Sequence, residues 1–191
     1  MATTQFPDTL RAQLRKLALN VEQLETNGKL EIWDWYTVTL GQKSNEKFVA
    51  ASSLKAADLS IGVAKEIKIF LSGTDSGMGG DPQFLRIWDN SSVLARFNDD
   101  KGWVEFLVTR VFPSACHSKS TLIFGVIRGI HSDSVYRQLE DAADGVIDFK
   151  IEEIGEEARD VIRIRSMRNV AFDRKWHRLK IGENLELTIE K

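Results

Sequence analysis

Residues 84–94 read Phe84-Leu85-Arg86-Ile87-Trp88-Asp89-Asn90-Ser91-Ser92-Val93-Leu94, an apolar run that ends in a carboxylate and small polar residues. The run predicts a strand, residues 85–88, that is buried on both faces. An Asp directly after such a strand lies at the carboxyl edge of an α/β sheet, where ligands bind. Asp89 could therefore orient a magnesium ion beside phosphates. The alternative is a strand that simply ends in an Asp-Asn turn.

The composition describes one ordinary globular domain. The chain has 191 residues, 42% of them hydrophobic, and a net charge of -2, so it has no general attraction to nucleic acid or to anionic membranes. Its one cysteine, Cys116, excludes an intramolecular disulfide. There is no apolar signal-peptide core and no apolar run of about 20 residues. We expect a cytoplasmic protein, with residues 1–191 forming one domain and no contact with membranes.

Helical and extended patterns alternate on both sides of the opening stretch. Helical spacing covers residues 7–27, with a break near 18–20, and then residues 54–71, 93–97, 99–112 and 131–142. Extended patterns cover residues 30–38, 121–127, 144–151, 160–167 and 185–189, with an irregular return near 174–181. This order predicts an α/β fold with a mostly parallel sheet whose C-terminal edge is antiparallel.

The familiar sequence motifs of metal and phosphate sites are absent. The glycine-rich stretch 73–82 lacks the Gly-Lys-Ser/Thr ending of a phosphate-binding loop and leads into a strand, so it is interpreted as a connection. The three histidines lie far apart, and Cys116-His117 is an isolated pair. A structural zinc site needs four ligands at a recognisable spacing. We therefore expect no metal and no self-evident catalytic residue.

The strongest charge feature is a C-terminal segment rich in arginine. Strand alternation places Arg163 and Arg165 on one face, opposite Ile162 and Ile164. Such a ribbon could bind the phosphates of nucleic acid, or those of a nucleotide held by a neighbouring subunit. It could equally be the solvated face of an outer strand, whose long side chains cover apolar neighbours.

Several segments, taken in order, resemble the RecA superfamily and, within it, the KaiC-like ATPase domains. Residues 85–94 resemble the Walker B strand and the segment that follows it, and residues 27–34 resemble the turn into the strand before the middle helix. Residues 143–147 and 163–168 are similar to the C-terminal signature. The resemblance runs from about residue 4 to residue 191 and implies a three-layer RecA-like sheet.

The departures from the family concern catalysis. Gly-x-x-x-x-Gly-Lys-Ser/Thr, the Walker A motif, occurs nowhere, and the family's paired glutamates correspond to Thr4 and Gln5. Neither residue accepts a proton usefully near neutral pH. The resemblance implies that Asp89, followed by Asn90 and Ser91, is a vestigial magnesium or nucleotide site.

The resemblance also concerns subunit contacts. It matches Arg168 to an arginine that contacts the nucleotide of the adjacent subunit, while the companion lysine position is Ser166. Without the phosphate loop and the base, we expect no ATP hydrolysis and no bound cofactor.

Three interpretations remain open. The chain is a degenerate RecA/KaiC-like interaction or regulatory module, or the C-terminal portion of an ATPase that binds ATP and magnesium, or a nucleic-acid-binding domain that uses the arginine ribbon. Under the first, the partner is a second copy or an intact ATPase paralogue. Because the family's Walker A strand lies beside the strand at 121–127, its absence would expose apolar faces and a strand edge. We expect repacked helices or a second chain to cover them.

Overall fold

A computed structural model describes residues 4–49, 53–73, 85–182 and 186–190, with the side chains of 66, 67 and 69–73 left aside. The helices are α1 Pro7–Lys16, α2 Val21–Thr26, α3 Tyr36–Thr39, α4 Ala56–Gly73, α5 Asp100–Phe106, α6 Phe112–His117 and α7 Asp133–Ala142. The strands are β1 Trp33–Asp34, β2 Phe48–Val49, β3 Leu85–Trp88, β4 Thr121–Phe124, β5 Gly145–Ile154, β6 Glu157–Met167, β7 His177–Ile181 and β8 Leu187–Glu190. Phe84, residues 74–82 of the glycine-rich connection and residue 185 lie outside the described residues.

The N-terminal helical pattern divides into two helices, as the sequence predicts. The break lies at Ala18, whose φ of 57° is left-handed and interrupts the helix. The second helix starts at a capping residue, because the side chain of Asn20 accepts a hydrogen bond from the backbone N–H of Gln23 at 3.1 Å. The two short helices therefore have local causes that the sequence contains.

The predicted strand at residues 30–38 is mostly wrong. Only β1, two residues long, is extended, and α3 begins at Tyr36. The buried Asp34 carboxylate accepts a hydrogen bond from the backbone N–H of Thr37 at 3.0 Å. Trp35 is the N-cap of α3 and makes no side-chain capping bond, so this bond from the residue before the cap stabilises the start of the helix in a segment whose aromatic and β-branched composition favours a strand.

The helical segment predicted at 99–112 is longer and less regular. A π-helical turn, Leu107–Val111, joins α5 to α6, and α6 extends the segment to His117. Pro113 lies in the first turn of α6 and has no backbone N–H for a regular helical ladder. The helical segment predicted at 93–97 begins earlier and forms a 3₁₀ helix, Ser91–Arg96.

The strands form three separate sheets instead of one. β1 pairs with β2 and β3 pairs with β4, both in parallel, while β5, β6, β7 and β8 form an antiparallel sheet in that order. The antiparallel C-terminal strands are confirmed. The predicted mostly parallel sheet is found in part, because β1–β2 and β3–β4 are parallel pairs, but the described strands do not join into one sheet, since β4 and β5 do not pair with each other.

The core lies on one side of β3 and β4. Trp88 is 1% exposed, and its ring lies 5.4 Å from that of Trp35 and 6.3 Å from that of Phe106. The buried cluster draws its members from the N-terminal segment and from α4, α5, the π turn and α7. The described helices thus supply one layer against the inner face of this sheet.

The other side of the strands is open, which corrects the prediction that β3 is buried on both faces. Leu85 is 59% exposed and Ile87 is 51% exposed, whereas the alternate residues Arg86 and Trp88 are buried. Three large apolar side chains on this side and six on the apolar face of the antiparallel sheet, which together we call the outer face, are 50–68% exposed: Leu85, Ile87, Ile123, Ile147, Phe149, Ile151, Ile181, Leu187 and Ile189. No described helix covers them, so the third layer and the repacked helices that we expected are not found over these residues.

Candidate functional site

Asp89 follows β3 directly, and the structure brings Thr4 to it. The Thr4 hydroxyl donates a hydrogen bond to Asp89 Oδ2 at 3.4 Å, across 85 residues of sequence. Gln5 points elsewhere, since its side-chain amide donates to Gln13 Oε1 of α1 at 2.9 Å. Of the two positions matched to the family's paired glutamates, Thr4 therefore lies beside the carboxylate and Gln5 does not.

The residues after Asp89 hold the ends of β3 and β4 together. Ser91 is fully buried, and both its hydroxyl and its backbone N–H donate to the carbonyl of Gly125 at 2.9 Å. The hydroxyl of Ser92, also buried, accepts from the backbone N–H of Ile127 at 2.9 Å. A Cβ added at Gly125 would lie 3.2 Å from the Cβ of Asn90, so the glycine permits this close approach. The Ser91 and Ser92 hydroxyls thus have structural partners.

Replacing Ser91 with alanine is expected to lower the free energy of unfolding by about 1 kcal/mol, because it removes the buried hydroxyl together with the hydrogen bond that this hydroxyl donates. The Gly125 carbonyl keeps the backbone N–H of residue 91 as a donor, so the loss stays near the lower end of the usual range. Urea unfolding measures it. Ser134→Ala, at an exposed position of α7, is the matched control and is expected to change stability by less than about 0.5 kcal/mol.

The arginine ribbon is already paired with carboxylates. Asp148 of β5 accepts from Arg163 Nε at 2.9 Å and from Arg165 Nε at 2.7 Å. Arg165 also forms an ion pair with Glu140 of α7. Arg163 and Arg165 lie on one face, as predicted, and this face turns toward α7 instead of being open to solvent. Their charge is locally balanced, which counts against the nucleic-acid interpretation.

The hydrogen bonds within this cluster shift the pKa values of Asp148 and Arg165. Hydrogen bonds from Arg165 and then from Arg163 hold the pKa of Asp148 below its ordinary value, even though partial burial works in the opposite direction. The same carboxylate raises the pKa of Arg165. The cluster is therefore fully charged near neutral pH and acts as a structural link between β5, β6 and α7.

Arg168 differs from the other two arginines. It lies just beyond the end of β6, half exposed, and donates to the backbone carbonyl of Asp141 and to the carboxylate of Asp144, the latter at 3.4 Å. The candidate residues therefore fall into two groups, because Asp89, Asn90 and Ser91 adjoin the β3–β4 sheet and the arginines belong to the antiparallel sheet.

Sequence reasoning missed two polar clusters. Arg11 donates to Glu25 and to Glu46, at 2.8 Å and 2.6 Å, and these carboxylates raise the pKa of the guanidinium. His131 stacks on Trp103 with 4.2 Å between ring centroids, and its Nδ1 lies 3.1 Å from Asp100. No motif signals either cluster, because the partners are 14 to 35 residues apart in sequence.

A cleft of about 450 Å³ lies between α5 and α7. Its lining mixes short apolar and polar side chains, among them Val104, Glu105, Ser134, Val135 and Gln138. Within the described ranges, no three His, Cys, Asp or Glu side chains come together in a way that could hold a metal ion. The described helices include none that is long and apolar enough to cross a membrane.

Comparison with known proteins finds solved structures of similar fold. No family model and no curated protein matches the chain. A solved KaiC-like protein from the hyperthermophilic archaeon Pyrococcus horikoshii superposes with a TM-score of 0.69 at 17% identity, over 98% of this chain and 74% of that one. An uncharacterized protein from Pyrococcus horikoshii, solved in complex with an unknown peptide, superposes with a TM-score of 0.73 at 14% identity, over 98% and 77%. The chain therefore has an α/β fold of the RecA/KaiC-like kind, and at these identities the likeness is one of fold.

Proposed function

We propose that this chain is a non-catalytic RecA/KaiC-like domain that acts as an interaction or regulatory module. The observation that carries the proposal is the outer face, where nine large apolar side chains are at least half exposed. Scattered exposed apolar residues are normal on a protein surface, but contiguous sets mark interaction sites. A domain whose most distinctive surface is apolar and sheet-like is suited to binding another polypeptide.

The surroundings of Asp89 support the non-catalytic part. Hydrolysis of a phosphoanhydride requires a residue that orients or deprotonates the attacking water. Thr4 is one residue that contacts Asp89, and its hydroxyl donates to the carboxylate and is no base near neutral pH. The neighbouring Ser91 hydroxyl donates to a backbone carbonyl. Asp89 is thus accompanied by hydroxyl groups that serve the fold.

One of the similar structures supports a polypeptide as the partner. The uncharacterized Pyrococcus horikoshii protein, which has a similar fold, was solved in complex with an unknown peptide. For the present protein, the candidate partners are a second copy and an intact ATPase paralogue.

A titration of the 191-residue chain with ATP and magnesium tests the proposal. We expect no binding up to millimolar nucleotide in isothermal calorimetry, and no phosphate release. Asp89→Asn is the matched variant, because it removes the carboxylate charge that a magnesium ion would need and is expected to give the same flat titration. Micromolar affinity that the variant abolishes would overturn the proposal.

A second candidate, the C-terminal portion of an ATP-binding ATPase, is favoured by the unpaired strand edges. β4 and β5 follow each other in the chain, yet in the described residues each pairs with another strand on one side only. A further strand between them would join the two sheets. This candidate predicts an in-frame Walker A segment encoded upstream of Met1, and nucleotide binding once that segment is included.

A further inference from the structure

The outer faces of the two larger sheets point to the same side of the molecule. Val135 and Leu139 of α7 belong to the core cluster against which Leu122 and Phe124, on the inner face of β4, are packed. Glu140 of the same helix pairs with Arg165, on the charged face of β6. α7 thus belongs to the core on the inner side of one sheet and forms an ion pair on the charged face of the other, which accords with the apolar residues of both sheets lying on the side away from α7.

The antiparallel sheet is amphipathic, with its apolar side turned outward. The register pairs Ile147 with Ile164, Phe149 with Ile162 and Leu179 with Ile189, which places these side chains on one face. The other face carries the ion pairs, such as Asp148 with Arg163 and Lys180 with Glu190. On the apolar face, Glu153 and Asp160 lie toward the β5–β6 turn. Asp160 lies opposite Ile151 and His177 lies opposite Ile162, so the apolar face also carries a carboxylate and an imidazole among its apolar side chains.

The extent of the outer face indicates the size of its partner. Nine large apolar side chains that are 50–68% exposed together present on the order of 1,000 Å², which exceeds the few hundred Å² usual for the largest apolar patch of a monomer. It also reaches the roughly 800 Å² that each partner buries in a standard interface. A short peptide would cover only part of this surface, whereas another sheet of the same size would cover it.

We propose that the outer face packs against the outer face of a second copy of this chain. This inference rests on the proposed interaction function and names its partner. Two apolar sheet faces pack about 10 Å apart with interdigitating side chains, as in a β-sandwich. A two-fold axis makes such a contact self-complementary, because each copy presents the same apolar face to the other. Edge-to-edge pairing of β5 alone would leave the nine side chains exposed.

Sedimentation equilibrium of the 191-residue chain, from about 1 to 100 μM, tests the proposal. We expect a dimer. Phe149→Lys, at the centre of the face, is expected to raise the dissociation constant at least thirtyfold, the effect typical of an interface hot spot. Ile151→Thr keeps a β-branched residue in the strand and is expected to weaken the dimer less, which guards against misfolding of the charged variant.

The control is Ile61→Lys, because Ile61 is a 70% exposed apolar residue on α4, outside the outer face. It is expected to leave the dissociation constant unchanged. A wild-type monomer at 100 μM, or equal weakening by Ile61→Lys and Phe149→Lys, would overturn the dimer. If the chain is a monomer that binds no nucleotide, the dimer proposal is wrong and the proposed non-catalytic function stands. If it is a dimer with micromolar affinity for ATP, the proposed non-catalytic function is wrong and the dimer proposal stands.

Discussion

Replacing Trp88 with alanine is expected to lower the free energy of unfolding by about 3–5 kcal/mol. The indole is 1% exposed and lies between the rings of Trp35 and Phe106. Trp88 thereby connects β3 to the N-terminal segment and to α5, and neighbouring rings can fill the resulting cavity only in part. Urea unfolding followed by far-UV circular dichroism measures the loss without depending on tryptophan fluorescence.

The matched control is Ile61→Ala, at the exposed position of α4 that served above. It removes apolar atoms that are already 70% exposed, so its effect is expected to stay within about 0.5 kcal/mol. A loss below about 1 kcal/mol for Trp88→Ala would mean that the Trp88 site is not the centre of the core. It would also remove the reason for treating the Trp88 side of β3 as the inner face.

Local patterns in the sequence predict most of the elements. The break at Ala18, the strand at 85–88 and the helix before Ala142 follow from turn residues and from periodicity, which act over a few residues. The error at 30–38 arose because one side chain, Asp34, stabilises a helical turn where composition alone favours a strand. Asp34 also accepts a hydrogen bond from the Ser44 hydroxyl, so its contacts depend on a residue ten positions later that local composition does not report.

Burial of the strands could not be predicted in the same way. Leu-Arg-Ile-Trp at 85–88 has the apolar content of a strand covered on both faces, yet Leu85 and Ile87 are open. Whether a second layer covers a strand depends on elements distant in sequence or in another chain, and no local pattern reports it. The outer face therefore became visible only in the assembled structure.

The contacts of the candidate site also depend on residues that are distant in sequence. The contact of Thr4 with Asp89 joins residues 85 positions apart, and no local pattern predicts it. The carboxylate partner of the arginines was not predicted, because it depends on the β5–β6 register, which places Asp148 opposite Arg163. A bulge at Val146/Ile147 then accompanies the contact of Arg165 with the same carboxylate.

Replacing Asp148 with asparagine is expected to lower the free energy of unfolding at neutral pH by about 2–3 kcal/mol, because two half-buried arginines lose their shared carboxylate. Arg163 and Arg165 are 32% and 27% exposed at the side chain, so water compensates only in part. Urea midpoints at pH 7 measure the change. Glu152→Gln, which removes the exposed ion pair with Lys150, is the control and is expected to cost less than about 0.5 kcal/mol.

The pH dependence of the free energy of unfolding distinguishes the contribution of the Asp148 charge from that of its packing. Because its pKa in the folded protein lies below the ordinary 3.8, the folded state favours the carboxylate. The stabilisation is complete above the unfolded pKa and disappears as the pH falls through the folded one. The difference in stability between wild type and Asp148→Asn is therefore expected to be constant from pH 7 down to about 5 and to shrink below about pH 4. A difference that stays constant to pH 3 would show that packing, and not the ion pairs, makes Asp148 important.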